Sequence, residues 1–156
     1  MSEPTLRSTH LFTLTLQVDP NMTDVGETPY GRRRIATVTG GTFEGEELKG
    51  TVLPAPGGDW LLLRRDGILQ LDVRLTLKTD DGHFIYMSYR GMRHGPAWVM
   101  EQLNKGEKVD PSQYYFRSTP WFETSSEKYR FLNRIVCVGT GRREAAGPVY
   151  DVFQIL

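Results

Sequence analysis

The sequence predicts a mainly β fold, a single antiparallel β-barrel of about nine strands with two short helices. Three observations carry that expectation. Glycine-bearing turns recur at short intervals, the runs between them alternate apolar and polar residues, and the 156 residues contain no stretch that reads as an interdomain linker. Residues 1-156 therefore read as one domain, large enough to bury a core without disulfides or a structural metal.

Strand-like runs fall near 6-18, 33-43, 46-53, 59-65, 68-78 and 83-91. Between them lie Phe43-Glu44-Gly45-Glu46, Arg65-Asp66-Gly67 and Asp80-Asp81-Gly82, each with glycine where a hairpin needs positive φ. Pro54-Ala55-Pro56-Gly57-Gly58 makes a wider corner. Strands joined this way form an antiparallel meander, and a meander of this length exposes its edges unless it closes. Residues 97-105 read as a short helix with Pro96 opening its first turn and Gly106 at its end. Strand signals return at 113-119. A second short helix is expected at 125-132, where Thr124 and Glu127 have the spacing of a capping box, and final strands fit 134-140 and 148-155.

Nineteen basic and nineteen acidic residues cancel, which argues against nucleic acid as a partner. The one basic cluster, Arg32-Arg33-Arg34, opens a strand and reads as its solvated end. Met1 to His10 is polar, without the apolar core of a signal peptide, and no apolar run approaches the ~18 residues of a membrane span. The expected location is cytoplasmic. Cys137 lies in the apolar run Ile135-Val136-Cys137-Val138 and reads as a buried spectator. Fourteen of the nineteen basic residues are arginine, several inside strands, where a planar guanidinium serves paired contacts with carboxylates, rings or anionic ligands.

The run Ile68 to Leu77 carries the most information. Leu69, Leu71, Val73, Leu75 and Leu77 share one face, and Gln70, Asp72, Arg74 and Thr76 share the other. Either the leucines fill the barrel and the polar row meets water, or the leucines pack outward and the polar row lines a lumen. Alternation alone favours the first. Phe84, Tyr86, Ser88 and Arg90 alternate with Ile85, Met87 and Tyr89, and Tyr115, Arg117 and Thr119 alternate with Tyr114, Phe116 and Ser118. Rows mixing rings with arginine suit a pocket for a planar or anionic small molecule, and they are also ordinary barrel core.

Thr39-Gly40-Gly41-Thr42-Phe43, Gly57-Gly58-Asp59-Trp60, Leu71-Asp72-Val73-Arg74, Thr79-Asp80-Asp81-Gly82, Tyr114-Tyr115-Phe116-Arg117, Phe122-Glu123-Thr124, Leu132-Asn133-Arg134 and Val138-Gly139-Thr140-Gly141 follow one another in an order that resembles domain-of-unknown-function family 3237, the UPF0311 family. Ala55 stands where the resemblance leads one to expect glycine. The resemblance implies a barrel loosely akin to those of allene oxide cyclase and the dirigent proteins, whose lumens bind hydrophobic or aromatic substrates without a cofactor. Asp72, Arg74, Arg117 and Glu123 fall on the family pattern, which turns the preference toward the lumen for the polar row.

No metal site is expected, since His10, His83 and His94 form no ligand pair and no cysteine cluster exists. Gly40-Gly41 and Gly57-Gly58 lack the lysine of a phosphate loop, and no Gly-x-Ser-x-Gly elbow is present. What survives is acid–base chemistry. Asp72 and Glu123 are the candidate bases, Arg74 and Arg117 the anion stabilisers, Tyr86 and Tyr115 proton donors, and Trp60 and Arg90 further ligand contacts. The expected function is a cofactor-independent isomerase, lyase or cyclase acting on a small hydrophobic or aromatic oxygenated substrate, or else a non-catalytic small-molecule-binding barrel. A homo-oligomer, dimer or trimer, is expected because outward leucines would need cover.

Overall fold

The computed structural model describes residues 2–156. Ten strands form it: β1 (Ser8–Val18), β2 (Thr23–Thr28), β3 (Gly31–Glu44), β4 (Lys49–Val52), β5 (Gly58–Leu63), β6 (Leu69–Thr79), β7 (Phe84–His94), β8 (Tyr115–Glu123), β9 (Cys137–Glu144) and β10 (Gly147–Ile155). One helix, α1 (Ala97–Asn104), and two short 3₁₀ turns complete it. The sheet closes because β1 pairs antiparallel with β10 on one edge and with β3 on the other.

Ten strands occupy only eight positions around the barrel. The first half of β3 pairs with β2 and its second half with β1 along the same edge. Its other edge is shared between β5 and β4, both of which also pair with β6. Closure of eight positions leaves an interior just wide enough for side chains or one small ligand. The corner joining β4 to β5 contains a cis Ala55–Pro56 bond.

The inward rows follow the period of two. On β6 the residues Leu71, Val73, Leu75 and Leu77 are buried, while Asp72 and Arg74 point out. On β8 the buried residues Phe116, Ser118 and Phe122 alternate with exposed Tyr115 and Trp121. Phe12 packs on Phe43 at 5.4 Å and on Phe122 at 5.7 Å, and with Leu77, Ile85 and Leu132 these rings fill one end of the barrel.

Four local expectations are corrected. Strand β2 was not foreseen, because its sequence Thr23-Asp24-Val25-Gly26-Glu27-Thr28 carries only one apolar side chain. Residues 125-132 form no α-helix; a 3₁₀ turn spans Arg130–Arg134. Thr124 there accepts the Ser126 N–H but also donates to the Phe84 carbonyl, while Glu127 turns to Arg130 instead of closing a capping box. Asp81 ties the segment down through Lys128 at 2.7 Å and the Tyr129 hydroxyl at 2.9 Å. Gly45 does not take positive φ; it is small because a Cβ there would meet the Leu11 carbonyl at 2.0 Å. The polar row of β6 faces outward, since the alternate face turns Leu71, Val73, Leu75 and Leu77 into the interior. Helix α1 forms as expected, with Gly106 at φ +79° beyond its end.

Candidate functional site

The end of the barrel opposite the phenylalanine cluster is hollow. A cavity of about 480 Å³ opens there, floored by Leu16, Val38 and Val73 and flanked by Met100 and Leu103 of α1. Its volume lies within the usual range for a small-molecule site. Inward positions that are apolar at the closed end become Asp59 on β5, Tyr89 and Arg93 on β7, Arg143 on β9 and Tyr150 on β10. Arg32 and Arg34 reach the rim, so two members of the basic cluster serve the cavity mouth instead of a purely solvated strand end. Arg32 is engaged by Asp24 of the β2 hairpin.

Asp59 owes its position to a gap in the β5–β6 ladder. Pairing runs from Gly58 with Arg74 to Asp59 with Val73 and resumes only at Leu62 with Gln70. In the gap the Asp72 N–H donates to Asp59 Oδ1 at 3.0 Å, so the carboxyl replaces a missing backbone acceptor. Burial is the main cause that pushes the Asp59 carboxyl up to about 7, and the nearby Asp72 charge adds to it. The Asp72 N–H and the positive charges of Arg93 and Arg33 hold it down in part.

Around Asp59 the aromatic residues pack edge to face. Tyr89 meets Tyr150 at 5.1 Å and Phe116 meets Tyr150 at 5.3 Å. Gly141 makes room for Phe116, because a Cβ there would approach the ring to 2.6 Å. The Arg93 guanidinium lies 5.9 Å from the Phe116 ring centroid. Burial raises both phenols well above their ordinary range. Burial, followed by the neighbouring Arg143 charge, lowers Arg93. The Arg143 backbone N–H donates to the Tyr114 hydroxyl at 2.9 Å, which fixes that stretch of β9 beside the cavity.

Among the described residues, two buried side-chain polar atoms have no hydrogen-bond partner in the protein: Tyr89 Oη and Arg93 Nε. Both belong to lining residues of this one cavity and lie on the same inward row of β7. Unpaired buried polar atoms cost about 1–3 kcal/mol each, so each calls for a partner or a role.

The residues singled out from the sequence lie elsewhere. Trp60, Asp72, Arg90, Tyr115 and Arg117 meet in a groove on the outer wall formed by β5 to β8, and Arg74 and Tyr86 extend it. Arg74 lies 6.0 Å from the Trp60 ring centroid and Arg117 lies 5.4 Å from that of Tyr115. Glu123 is exposed at the far end of β8, opposite Tyr86. The expectation that these eight residues line the lumen is therefore corrected: period-two alternation sends them out wherever Leu71, Val73, Met87, Tyr89 and Phe116 point in. The leucine surplus that motivated an oligomer is absent for the same reason. Exposed aromatic residues, Trp60, Tyr86, Tyr115 and Trp121, occupy the outer wall instead.

Cys137 is buried and free, and burial pushes its thiol up to about 11, as suits a spectator. No group of three or more potential metal ligands occurs among the described residues, and no helix there is long and apolar enough to cross a membrane.

Comparison with known proteins fits this architecture along the whole chain. The family described as Protein of unknown function (DUF3237) matches residues 6–155. A UPF0311 protein of Rhodopseudomonas palustris is 38% identical over 153 residues, covering 98% of this chain and 99% of that protein. The crystal structure of a conserved protein of unknown function from the same organism superposes with a TM-score of 0.93 over 99% of this chain and 100% of that one. A β-barrel-like protein of Acinetobacter baumannii, 39% identical, gives 0.85 over 99% of each chain. An enzyme from Penicillium herquei, 24% identical, shares the fold with a TM-score of 0.74 over 100% of this chain and 99% of that one.

Proposed function

We propose that this chain, which belongs to the DUF3237 family, is a cofactor-independent isomerase, lyase or cyclase acting on a small hydrophobic or aromatic oxygenated substrate in the barrel lumen. The observation that carries the reading is the convergence, in one cavity, of a carboxyl poised near 7 with two unpartnered polar atoms. A base whose pKa lies near the working pH exchanges protons most effectively, and donors preset at an oxygen stabilise charge as it develops. The Penicillium herquei barrel is described as an enzyme, so the fold is compatible with catalysis, although at 24% identity it lends no reaction.

In the proposed reaction the Asp59 carboxylate takes a proton from a carbon next to a substrate carbonyl. The electron pair of the broken C–H bond moves onto the carbonyl oxygen, giving an enolate. The Tyr89 hydroxyl donates to that oxygen, and the apolar walls exclude water from it. Return of the proton from Asp59 to another carbon completes an isomerisation. Loss of a leaving group from the adjacent carbon, which takes the proton, completes an elimination. Attack of the enolate carbon within the same molecule, with the proton passing to the group attacked, closes a ring. Each route balances without an external oxidant or reductant.

The experiment is α-proton exchange. With 2-tetralone in D₂O followed by proton NMR, the wild-type chain is expected to accelerate deuteration at C1 and Asp59→Asn to abolish that acceleration. Binding that depends on Arg93 with no exchange for any of a set of aromatic ketones would leave a non-catalytic small-molecule-binding barrel as the function.

A further inference from the structure

We infer that the lumen is built for an anionic ligand, a small apolar or aromatic carboxylate whose charged group lies between Arg93 and Arg143. The inference rests on the lumen reading above and names the class of molecule it takes.

Among the described residues, four arginines are engaged in ion pairs: Arg32, Arg64, Arg130 and Arg142. Arg93 and Arg143 line the cavity and belong to none of them, and neither does Arg34 at its rim. Arg93 is mostly buried, and its Nε hydrogen has no acceptor in the protein. Arg93 and Arg143 are close enough for their charges to oppose each other. Two guanidinium groups facing one cavity with no counter-ion are costly in a low-dielectric interior.

The one acidic side chain lining the cavity, Asp59, offsets the Arg93 charge only in part. Asp59 points its Oδ1 at the Asp72 N–H and forms no ion pair. It is also largely protonated below neutrality, so the cavity then carries unbalanced positive charge. A carboxylate offers a guanidinium two acceptor oxygens in the matching plane. Leu16, Leu61, Leu71 and Phe116 give the remainder of the ligand an apolar bed. One end of the ligand is thereby specified as anionic and its body as apolar. An uncharged ligand would leave both arginines unpaired.

The test uses two ligands of nearly equal shape, 1-naphthaleneacetate and 1-naphthaleneacetamide, titrated calorimetrically at pH 6.5 into the wild-type chain and into Arg93→Met, Arg143→Met and Leu61→Trp. The carboxylate is expected to bind at least ~10-fold more tightly than the amide. Arg93→Met should remove that preference, and Leu61→Trp should weaken both ligands by obstructing the cavity. If Arg93→Met does not fold, Arg143→Met reads the same preference from the more accessible side. Equal affinity for both ligands, weakened together by Leu61→Trp, would overturn the anionic ligand and leave the lumen reading standing. Failure of both ligands to bind, or binding indifferent to Leu61→Trp, would overturn both.

Discussion

The two ends of this barrel are built by the same strands in the same inward register, yet they differ in everything that matters for function. At one end Phe12, Phe43 and Phe122 interlock with Leu77, Ile85 and Leu132, and the buried Thr79 hydroxyl beside them is hydrogen-bonded to the His83 backbone. At the other, β7 continues its inward row from Ile85 and Met87 to Tyr89 and Arg93, and β5 contributes Asp59. The closed end supplies interlocked, fully buried apolar side chains, and the open end carries buried charge and unpaired donors. One alternating pattern thus divides along its own axis into a half that holds the fold and a half that destabilises it for the sake of a ligand. Natural proteins commonly hold such a trade between stability and function.

If that division is right, the largest stability loss comes from the closed end. Phe12→Ala should cost about 3–5 kcal/mol in chemical denaturation, with ligand affinity in the lumen unchanged in whatever fraction stays folded. A comparable loss of affinity would show that the two ends are not independent.

Substitution at Asp59 should move stability the other way. In the folded chain Asp59 keeps its proton up to about 7, whereas the unfolded chain releases it near the ordinary aspartate value of 3.8. Between those two values the native state binds the extra proton, so stability falls as pH rises from about 4 to about 7 and is flat above. The full difference amounts to about 4 kcal/mol as an upper bound. Besides burial, the groups that set this titration are Asp72 and Arg33 through the wall and Arg93 on β7, while the neutral phenols of Tyr89 and Tyr150 face it. Asp59→Asn should flatten that slope and raise stability at pH 8 by about 2–4 kcal/mol, while removing α-proton exchange. A destabilised Asn variant with an unchanged pH slope would contradict the assignment.

Arg93→Met removes an unpaired buried cation and should stabilise the chain by about 1–2 kcal/mol in thermal unfolding while weakening the carboxylate ligand. The smallest effect is expected on the outer wall. Asp72→Asn should change stability by no more than about 0.5 kcal/mol and leave lumen affinity within ~2-fold, its one visible consequence being a slight fall in the Asp59 titration midpoint. A loss of turnover in Asp72→Asn comparable with that in Asp59→Asn would return the outer groove to candidacy.

The fold was legible where chemistry is local. Alternation in β6, the Gly67 and Gly82 turns and the Pro96–Gly106 bracket around α1 all appear in the structure where the sequence puts them. Strand β2 was hidden, because it extends the wall beyond the end of β1 and needs no apolar row of its own. The site was less legible. Asp59 stood in the Gly57-Gly58-Asp59-Trp60 stretch, but nothing in the sequence told that the β5–β6 ladder opens beside it. Arg93 lay just past the expected strand end at 91, although carrying the row of Ile85, Met87 and Tyr89 two pairs further would have placed an arginine inside the barrel. Tyr89 stood in a row that also reads as ordinary barrel core, and it is core that also faces a cavity, together with Tyr150. Asp72 and Arg74 misled because membership in a family pattern says nothing about which side of a strand a residue faces.

The central claim is that Asp59 faces a ligand site inside the barrel, and its own titration tests that most directly. A carbon-13 NMR titration of the Asp59 carboxyl should give a midpoint near 7, moving upward when 1-naphthaleneacetate is present, because the bound anion disfavours a second negative charge beside it. A midpoint near 4 that ignores the ligand would place Asp59 in water and contradict the account.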